Sequence, residues 1–390
     1  MTAPRLFLYV QHLLGIGHLM RAVRLARALA AAGAEVDLVS GGEPQPGLDV
    51  GGARLVQLPP VHSRDESFAE LVDSSGRPVD EAWRAARRER LLGLFRARRA
   101  DGLIFEMFPF GRRQMHFELL SLVDMALAET PRPLMVASVR DIVQRRAPER
   151  DEETLGLLAR AFDLVLVHGD PALVRLEESF PPAGRLGSKL RYTGFLAGPQ
   201  APRASASGAG TGEVVVSAGG GAVGQALFAA ALAARSLTRL VQAPWRLLVG
   251  HQVPEPAYAA LRSQAATGMT VERARPDFSE ILARCRISVS QAGYNTVMDV
   301  LTAHARAVLI PFAGHGESEQ SLRAWRLAAR GRVQLVPEAE LSPARLAAAI
   351  DAADAMPAPG DHGIDLAGIE TSVRLIAAQL GARCRATESA

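Results

Sequence analysis

One stretch of this chain, residues 287–324, has residue types and a spacing suited to holding a phosphate group. Ile287–Ser290 is a short apolar run typical of a strand, and a tight turn ending in Gly293 follows it directly. From Asn295 the apolar residues take the spacing of a helix. A glycine in such a turn lets the backbone approach a ligand, and the amides that open the helix attract an anion. The pattern therefore indicates a nucleotide-binding site.

The same stretch resembles the donor-binding signature of inverting glycosyltransferases with the GT-B fold. QAGYNTVMD, residues 291–299, is similar to the turn and helix of that signature, and PFAGHGESEQSLRA, residues 311–324, is similar to its continuation. The stretch resembles that of the MurG-type transferases of glycosyltransferase family 28 and of the nucleotide-sugar transferases of plant and antibiotic metabolism. The resemblance implies an α/β protein with two Rossmann-like doubly wound domains facing an interdomain cleft.

Matched residue by residue, the resemblance assigns most donor contacts to this stretch. The matching positions are Gly293, Asn295 and Thr296 for the pyrophosphate, Asp299 for the ribose, and Glu319 with Gln320 for the sugar. Many relatives have histidine where Gln291 stands, so a neutral amide replaces a possible cationic contact to the phosphate at that position.

Five further residues belong to the predicted donor site. The glycine run of Gly219, Gly220 and Gly221 follows an apolar strand pattern, and its amides could line the pyrophosphate. Arg275 begins a turn where relatives let main-chain groups pair with the base. Arg323 is the side chain that could neutralise the leaving diphosphate.

A second glycine loop, GIGHLMRA at residues 15–22, precedes a helical pattern and is similar to the family's N-terminal glycine loop. Transfer of a sugar to a hydroxyl requires a group that takes up the hydroxyl proton, and a neutral imidazole at a helix N-terminus can do so. His18 is therefore the predicted base, and Gly17 beside it is included among the donor contacts. Judged by position alone, His18 could also cap the helix or line the cleft without reacting.

Glu106 ends a buried-strand pattern within DGLIFEMFPFGRR, residues 101–113. Relatives of the natural-product type place an acidic residue at the comparable strand end, where it orients the catalytic histidine, so the resemblance makes Glu106 the partner of His18. A helix-capping or arginine-paired glutamate is the alternative interpretation. Glu106–Arg112 also resembles a motif in a group of predicted bacterial glycosyltransferases.

The elements that must position these residues form two similar halves. Strand, glycine loop and helix open the chain, and the same order restarts after AGPQAPRASASGAGTG, residues 197–212. We predict an acceptor-binding domain over 1–196, a linker over 197–212 and a donor-binding domain over 213–370. A C-terminal helix and tail, 371–390, follow, and in this fold such a helix often returns to the first domain.

Composition bounds the class of protein and its partners. A chain of 390 residues is too long for one comfortable core. The formal charge is only +3 and Lys189 is the only lysine, so the arginine content indicates a compositional bias and no nucleic-acid partner. Cys285 and Cys384 lie far apart, which suits a reducing cytosol. No signal peptide pattern and no membrane-spanning run occur in the sequence, so we predict a cytoplasmic protein.

One helical pattern raises a possible membrane contact. Trp83–Arg99 is studded with arginines and carries leucines in its second half, so it could lie on the inner, anionic face of a membrane. A solvated helix packed on the sheet is the more common structure for such a pattern.

Missing motifs narrow the chemistry further. The sequence has no Asp-x-Asp pair, no zinc-ligand spacing, no Gly-x-Ser-x-Gly elbow and no dehydrogenase fingerprint. The resemblance implies a hexosyltransferase that transfers a sugar with inversion from a nucleotide diphosphate sugar, most simply a UDP-sugar, to an acceptor hydroxyl or amine, and the missing motifs agree with an enzyme that needs no metal or cofactor. A nucleotide-sugar hydrolase of the same fold and a non-catalytic sugar-nucleotide-binding protein are the alternatives.

Overall fold

The computed structural model describes residues 3–65, 70–198, 208–219, 224–314, 318–357, 360 and 363–388. It divides the chain into two compact units. The first consists of residues 1–196 together with 365–390, and the second of residues 197–364. Within the predicted linker, residues 199–207 lie outside the described residues, whereas the amide of Gly212 donates to the carbonyl oxygen of Arg284 at 3.2 Å, inside the second unit.

The first unit is built on a parallel sheet. Its strands are β1 (Arg5–Val10), β2 (Glu35–Ser40), β3 (Arg54–Gln57), β4 (Val61–Ser63), β5 (Leu71–Asp73), β6 (Gly102–Glu106), β7 (Leu134–Arg140), β8 (Leu164–His168) and β9 (Leu190–Tyr192). The described residues of the large sheet take the order β3-β2-β1-β6-β7-β8-β9, and β4 pairs with β5 in a separate antiparallel hairpin. The strand order therefore reverses between β1 and β6.

Helices cover both faces of this sheet. They are α1 (Gly17–Ala31), α2 (Glu81–Arg98), α3 (His116–Ala128), α4 (Pro148–Ala161) and, from the C-terminus of the chain, α11 (Gly368–Glu388). Leu6, Leu8 and Val10 of β1 pack in one layer with α1 and α11, whereas Phe7 and Tyr9 pack in the opposite layer with α2 and α3. Burial on both faces explains why the strands are almost continuously apolar in sequence.

The arginine-rich helix α2 packs on the sheet. Its apolar side chains Leu91, Leu92 and Phe95 are buried in the layer that also contains α3. Arg87 of the same helix is buried as well. Helix α2 is therefore a helix packed on the sheet, because the apolar residues that could have entered a membrane lie in the core. In the described part of the chain, no helix combines the length and the apolar character needed to cross a bilayer.

A buried ion pair joins α2 to α3. Nε and Nη2 of Arg87 donate to the two carboxylate oxygens of Glu118 at 2.8 and 3.0 Å, and both side chains are fully buried. The hydroxyl of Tyr9 donates to the same carboxylate at 2.6 Å, and Arg87 also reaches the side-chain oxygen of Gln11 at 2.8 Å. These bonds fix the end of β1 and the segment that leads from it towards α1.

The second unit repeats the plan with a six-stranded parallel sheet. Its strands are β10 (Val214–Ser217), β11 (Trp245–Val249), β12 (Met269–Arg273), β13 (Ile287–Ser290), β14 (Ala307–Leu309) and β15 (Gln334–Leu335), in the order β12-β11-β10-β13-β14-β15. Its helices are α5 (Gln225–Ala234), α6 (Glu255–Ser263), α7 (Phe278–Arg284), α8 (Tyr294–Thr302), α9 (Glu319–Ala329) and α10 (Pro343–Asp354). Here the order reverses between β10 and β13. Ligands of open α/β sheets bind beyond the carboxyl ends of strands at such points.

Candidate active site and donor site

In the first unit, the reversal of strand order brings His18 and Glu106 together. Glu106 is the last residue of β6, and His18 lies in the first turn of α1, directly after the loop that follows β1. Nδ1 of His18 is 3.1 Å from Oε1 of Glu106, and Gly17 is the first residue of the same helix. Parallel strands end at one edge of a sheet, so residues 88 positions apart in the chain meet there.

A third residue, Arg21, bears on which nitrogen of His18 carries the proton. Its guanidinium forms a short ion pair with Oε1 of Glu106, and its Nη2 also lies 3.0 Å from Nδ1 of His18. Glu106 can accept a hydrogen bond from Nδ1–H, whereas Arg21 can donate one only to an Nδ1 that carries no proton. Contact with Glu106 therefore leaves the Nε2 lone pair as the basic site, whereas contact with Arg21 would place the proton on Nε2.

The electrostatic surroundings keep His18 neutral. Burial lowers its pKa well below the usual 6.5, and the positive charges of Arg112, Arg21 and Arg140 lower the pKa further, as does His12. The ring nevertheless retains 18% exposure, so a ligand can reach it. A histidine in this environment is available as a proton acceptor at neutral pH.

Glu106 is held from behind by residues that the sequence did not single out as functional. The hydroxyl of Ser138 on β7 donates to Oε2 of Glu106 at 2.9 Å, and Ser138 pairs with Glu106 in the register of the two strands. Oγ of Ser138 is in turn 2.8 Å from Nε2 of His168, the last residue of β8. A polar residue at a strand end was the available signal for His168, whereas Ser138 lies inside β7 and the sequence marks it in no such way.

The basic surroundings of His18 make a pH prediction. The predicted role of His18 as base requires a neutral ring, so we expect kcat/KM to stay level as the pH falls from about 8 to about 6.5. The substitution Arg112→Gln removes the largest charge that lowers the pKa of His18, so that pKa should rise and the acid limb of the profile should move to higher pH. The neighbouring exposed variant Arg113→Gln, which loses an ion pair with Glu153, is the control. Superimposable profiles for wild type and Arg112→Gln would contradict the assignment.

In the second unit, Gly293 opens α8 in the way a phosphate site needs. It is the N-cap residue, no side chain caps the helix end, and no acidic residue lies in the first turn. Asn295 and Thr296 lie in that first turn. A β-carbon built on Gly293 would meet no atom of the described residues within 4 Å. Uncapped amides at a helix start form an anion-binding site together with the helix dipole.

The glycine loop after β10 is only partly described. Gly219 has a left-handed backbone with a φ of +75°, and its amide lies 3.3 Å from the hydroxyl oxygen of Ser217. Gly220 and Gly221 lie outside the described residues. A positive φ favours glycine, so the backbone conformation alone explains why position 219 is a glycine.

The acid and amide predicted to contact the sugar lie next to the Gly293 turn. Oε1 of Gln320 accepts the amides of Ala292 at 3.0 Å and of Phe312 at 3.2 Å, so this side chain ties the turn after β13 to the segment after β14. Glu319 is buried, and its carboxylate accepts from Arg323 at 2.7 Å. Gln291, at the end of β13, is also buried.

The structure places Arg323 beside the Gly293 turn. Its guanidinium is fully buried, pairs with Glu319 and donates to the carbonyl oxygen of Ala292 at 2.9 Å. These contacts stabilise the turn, and a direct contact between Arg323 and a diphosphate stays a prediction.

Two predicted donor residues lie near α7. The guanidinium of Arg275 forms two hydrogen bonds with the carboxylate of Asp277, at 2.8 and 2.7 Å, which fixes the turn before that helix. Asp299 on α8 is partly exposed, and the hydroxyl of Ser279 lies 3.5 Å from its Oδ1. Among the described residues, no cluster of three acidic, histidine or cysteine side chains is placed to hold a metal ion.

Sequence comparison bears on this second unit. Residues 215–359 match the sequence model of the glycosyltransferase family 28 C-terminal domain. The second unit contains a family 28 C-terminal domain. The Gly219 loop, the Gly293 turn and α8 all lie inside the matched range of this family 28 domain, so the predicted resemblance is confirmed there.

Whole proteins resemble the chain over shorter stretches. The UDP-N-acetylglucosamine--N-acetylmuramyl-(pentapeptide) pyrophosphoryl-undecaprenol N-acetylglucosamine transferase of Rhodospirillum centenum is 32% identical over 108 residues. Those residues make up 28% of this chain and 27% of that protein, so the chain matches about a quarter of the length of this relative.

Solved structures extend the likeness to both units. MurG of Acinetobacter baumannii superposes with a TM-score of 0.60 at 16% identity, covering 96% of this chain and 99% of that one. The glycosyltransferase VinC in complex with dTDP gives a TM-score of 0.61 at 13% identity, covering 99% and 100%. At such identities the likeness shows the fold. The predicted GT-B architecture of two Rossmann-like α/β domains is confirmed.

Proposed function

We propose that this protein is an inverting, metal-independent glycosyltransferase that moves a sugar from a nucleotide diphosphate sugar to an acceptor hydroxyl or amine. The observation that carries the proposal is the 3.1 Å contact between Nδ1 of His18 and Glu106 at the strand-order reversal of the first unit. The family 28 domain supplies the donor half of the same reaction. Attack by a hydroxyl requires a proton acceptor, and a carboxylate that is hydrogen-bonded to this acceptor orients it.

In the proposed step, the acceptor oxygen attacks the anomeric carbon from the face opposite the diphosphate. As the new carbon–oxygen bond forms, Nε2 of His18 takes the hydroxyl proton, and Glu106 stabilises the resulting imidazolium through its bond to Nδ1–H. The bond to the diphosphate oxygen breaks at the same time, and the diphosphate leaves with the electron pair. One displacement on opposite faces inverts the anomeric configuration.

Backbone amides neutralise the charge of the diphosphate in this reaction. The uncapped start of α8 at Gly293 carries the largest share, with Asn295 and Thr296 beside it and Gly219 on the loop after β10. Asp299 binds the ribose and Glu319 with Gln320 orients the sugar. Main-chain groups in the turn at Arg275 pair with the base. Arg323 holds the turn.

The donor class rests on the names of the relatives. The Rhodospirillum centenum protein is named for a UDP-sugar, and VinC was solved with dTDP, so a pyrimidine nucleoside diphosphate is the proposed carrier and uridine the first choice. The acceptor is the least constrained partner. A polyprenol-linked acceptor, as in the name of that relative, would place a cytoplasmic enzyme at the inner face of the membrane.

Gly293→Ala tests the donor site. Alanine adopts the φ of −60° at this position and its β-carbon meets no atom within 4 Å, so the free energy of unfolding should not fall. The same β-carbon would occupy the space in front of the amides, and we expect the affinity for UDP to fall more than about tenfold. Calorimetric titration with UDP, dTDP, GDP and ADP measures the loss, and the shift in melting temperature ranks the four nucleotides in wild type.

Gly156→Ala is the matched control. Gly156 lies on the exposed side of α4 in the first unit, and a β-carbon there also meets no atom within 4 Å. Its affinity for each nucleotide should equal that of wild type. Wild-type affinity in Gly293→Ala would remove the α8 start from the donor site.

Release of free sugar at the full rate without any acceptor would identify the nucleotide-sugar hydrolase, and binding without turnover would identify the non-catalytic sugar-nucleotide-binding protein.

A further inference from the structure

Behind Glu106, a chain of hydrogen bonds crosses the ends of three neighbouring strands. It runs from Oε2 of Glu106 to Ser138 at 2.9 Å, from Ser138 to Nε2 of His168 at 2.8 Å, and from Nδ1 of His168 to Oγ1 of Thr193 at 3.0 Å. All four side chains are buried. Because water cannot substitute for a missing partner there, each proton must have one definite place.

One arrangement of the protons in this chain gives Oε2 of Glu106 a donor. Burial, and secondly the charge of Arg21, lowers the pKa of His168 to about 3, so the ring is neutral and has a single N–H. A carboxylate only accepts, hence the one hydroxyl proton of Ser138 points to Glu106. Oγ of Ser138 then needs a donor, which is Nε2–H of His168. Nδ1 of His168 is left as an acceptor for the hydroxyl of Thr193.

A competing arrangement exists and has the opposite effect. Oγ1 of Thr193 lies 2.7 Å from the carbonyl oxygen of Gly194, which can take its proton. His168 would then donate from Nδ1 to Thr193, and the proton of Ser138 would turn to Nε2 of His168. In this arrangement Oε2 of Glu106 loses its donor, and the carboxylate is less firmly held.

We propose that Ser138 and His168 are positioning residues that decide which nitrogen of His18 is basic. His168 in its Nε2–H form directs the proton of Ser138 to Glu106, and Glu106 so held accepts from Nδ1–H of His18. If the carboxylate turns away, Arg21 is already 3.0 Å from Nδ1 and can donate to it, which shifts the proton of His18 to Nε2. This inference rests on the proposed function, in which Nε2 of His18 accepts the proton.

Two substitutions at position 168 separate positioning from packing. His168→Gln retains a side-chain N–H that can reach Ser138, whereas His168→Leu fills the space without a donor. We expect kcat for donor consumption to fall about 10- to 100-fold in His168→Leu, the loss typical of one hydrogen bond to a charged group, and to recover largely in His168→Gln. The kcat of Ser138→Ala should fall as far as that of His168→Leu. Because Ser138→Ala removes only one hydroxyl, it still provides the test if the leucine variant does not fold.

A second measurement does not depend on turnover. Nitrogen-15 chemical shifts of the imidazole rings distinguish the two neutral tautomers, and wild type should show Nε2–H for His168 and Nδ1–H for His18. In His168→Leu and Ser138→Ala the His18 signals should shift towards the Nε2–H form. The charged groups that face His18, namely Glu106, Arg21, Arg112, Arg140 and His12, are unchanged in these variants.

Ser179→Ala is the control for the loss of a buried hydroxyl. Ser179 is buried in the same unit and its Oγ accepts the amide of Val143 at 3.0 Å, away from Glu106. It should keep the wild-type kcat and the wild-type tautomers. Wild-type His168 in the Nδ1–H form, equal losses in the glutamine and leucine variants, or an unchanged His18 tautomer in Ser138→Ala would each overturn the proposal. Absence of turnover with every nucleotide sugar would refute the proposed function, while the tautomers would still test the positioning.

Discussion

Replacing His18 by alanine is expected to lower kcat by about 100- to 10,000-fold, the usual contribution of a positioned general base. Because Nδ1–H of His18 donates to Glu106, Nε2 is the ring nitrogen that can take the hydroxyl proton. The variant lacks this nitrogen. Affinity for the nucleoside diphosphate should be unchanged, because the predicted nucleotide contacts belong to the family 28 domain. The rate of nucleoside diphosphate release from the best-bound nucleotide sugar, together with calorimetric titration, measures both quantities.

The first unit offers a matched control for this variant. Nδ1 of His62 lies 3.1 Å from a carboxylate oxygen of Glu43, the same separation as in the pair at the strand-order reversal. His62 comes from the small hairpin β4–β5, and its side chain is 33% exposed. His62→Ala should keep the wild-type kcat. A His18→Ala enzyme as fast as His62→Ala would exclude His18 from the chemistry.

Glu118→Gln is expected to destabilise the first unit by about 3–5 kcal/mol, as the removal of one partner of a buried ion pair usually does. Glutamine has nearly the same shape but leaves the guanidinium of Arg87 charged, fully buried and without a counter-charge. The cost arises from that uncompensated charge, because the pair itself also had to be removed from water. Urea unfolding of the full chain, followed by circular dichroism, measures the loss.

Two variants distinguish this explanation from a general packing defect. In the double variant Arg87→Met with Glu118→Leu no charge remains, so it should be more stable than Glu118→Gln. Glu153→Gln breaks an exposed pair with Arg113, 3.1 Å apart, and should change the free energy of unfolding by less than about 0.5 kcal/mol. A double variant as unstable as Glu118→Gln would show that shape, not charge, sets the cost.

The sequence contains enough information to predict the elements around the donor site. The predicted strand Ile287–Ser290 is β13 as observed, and the helix expected from Asn295 is α8, which begins one residue earlier. The hydrophobic period changes from strand to helix across a glycine, and that signal is local. His18 and Glu106 were predicted to meet by resemblance, and they do so because consecutive parallel strands end at one edge.

What the sequence does not show is which polar side chains are enclosed. Ser138 lies inside β7 and His168 is the last residue of β8, and only the lateral arrangement of β6, β7 and β8 brings them into one chain of hydrogen bonds with Glu106. Arg323 was predicted to neutralise the leaving diphosphate. Its position four residues after Glu319 on α9 also allows an internal ion pair, and the structure shows that pair buried.

The return of residues 365–390 to the first unit has a topological consequence. At the crossing, the amide of Phe195 donates to the carbonyl oxygen of Asp365 at 2.8 Å, and Leu196 bridges to Ala367, so the two chain ends of this unit run side by side. The family 28 domain is thus inserted into the first unit between two neighbouring positions, residues 196 and 365. A fragment that stops before residue 365 would lack α11, which covers one layer of the sheet that contains β1. A short peptide that links residue 196 directly to residue 365 would instead give the first unit as one continuous chain.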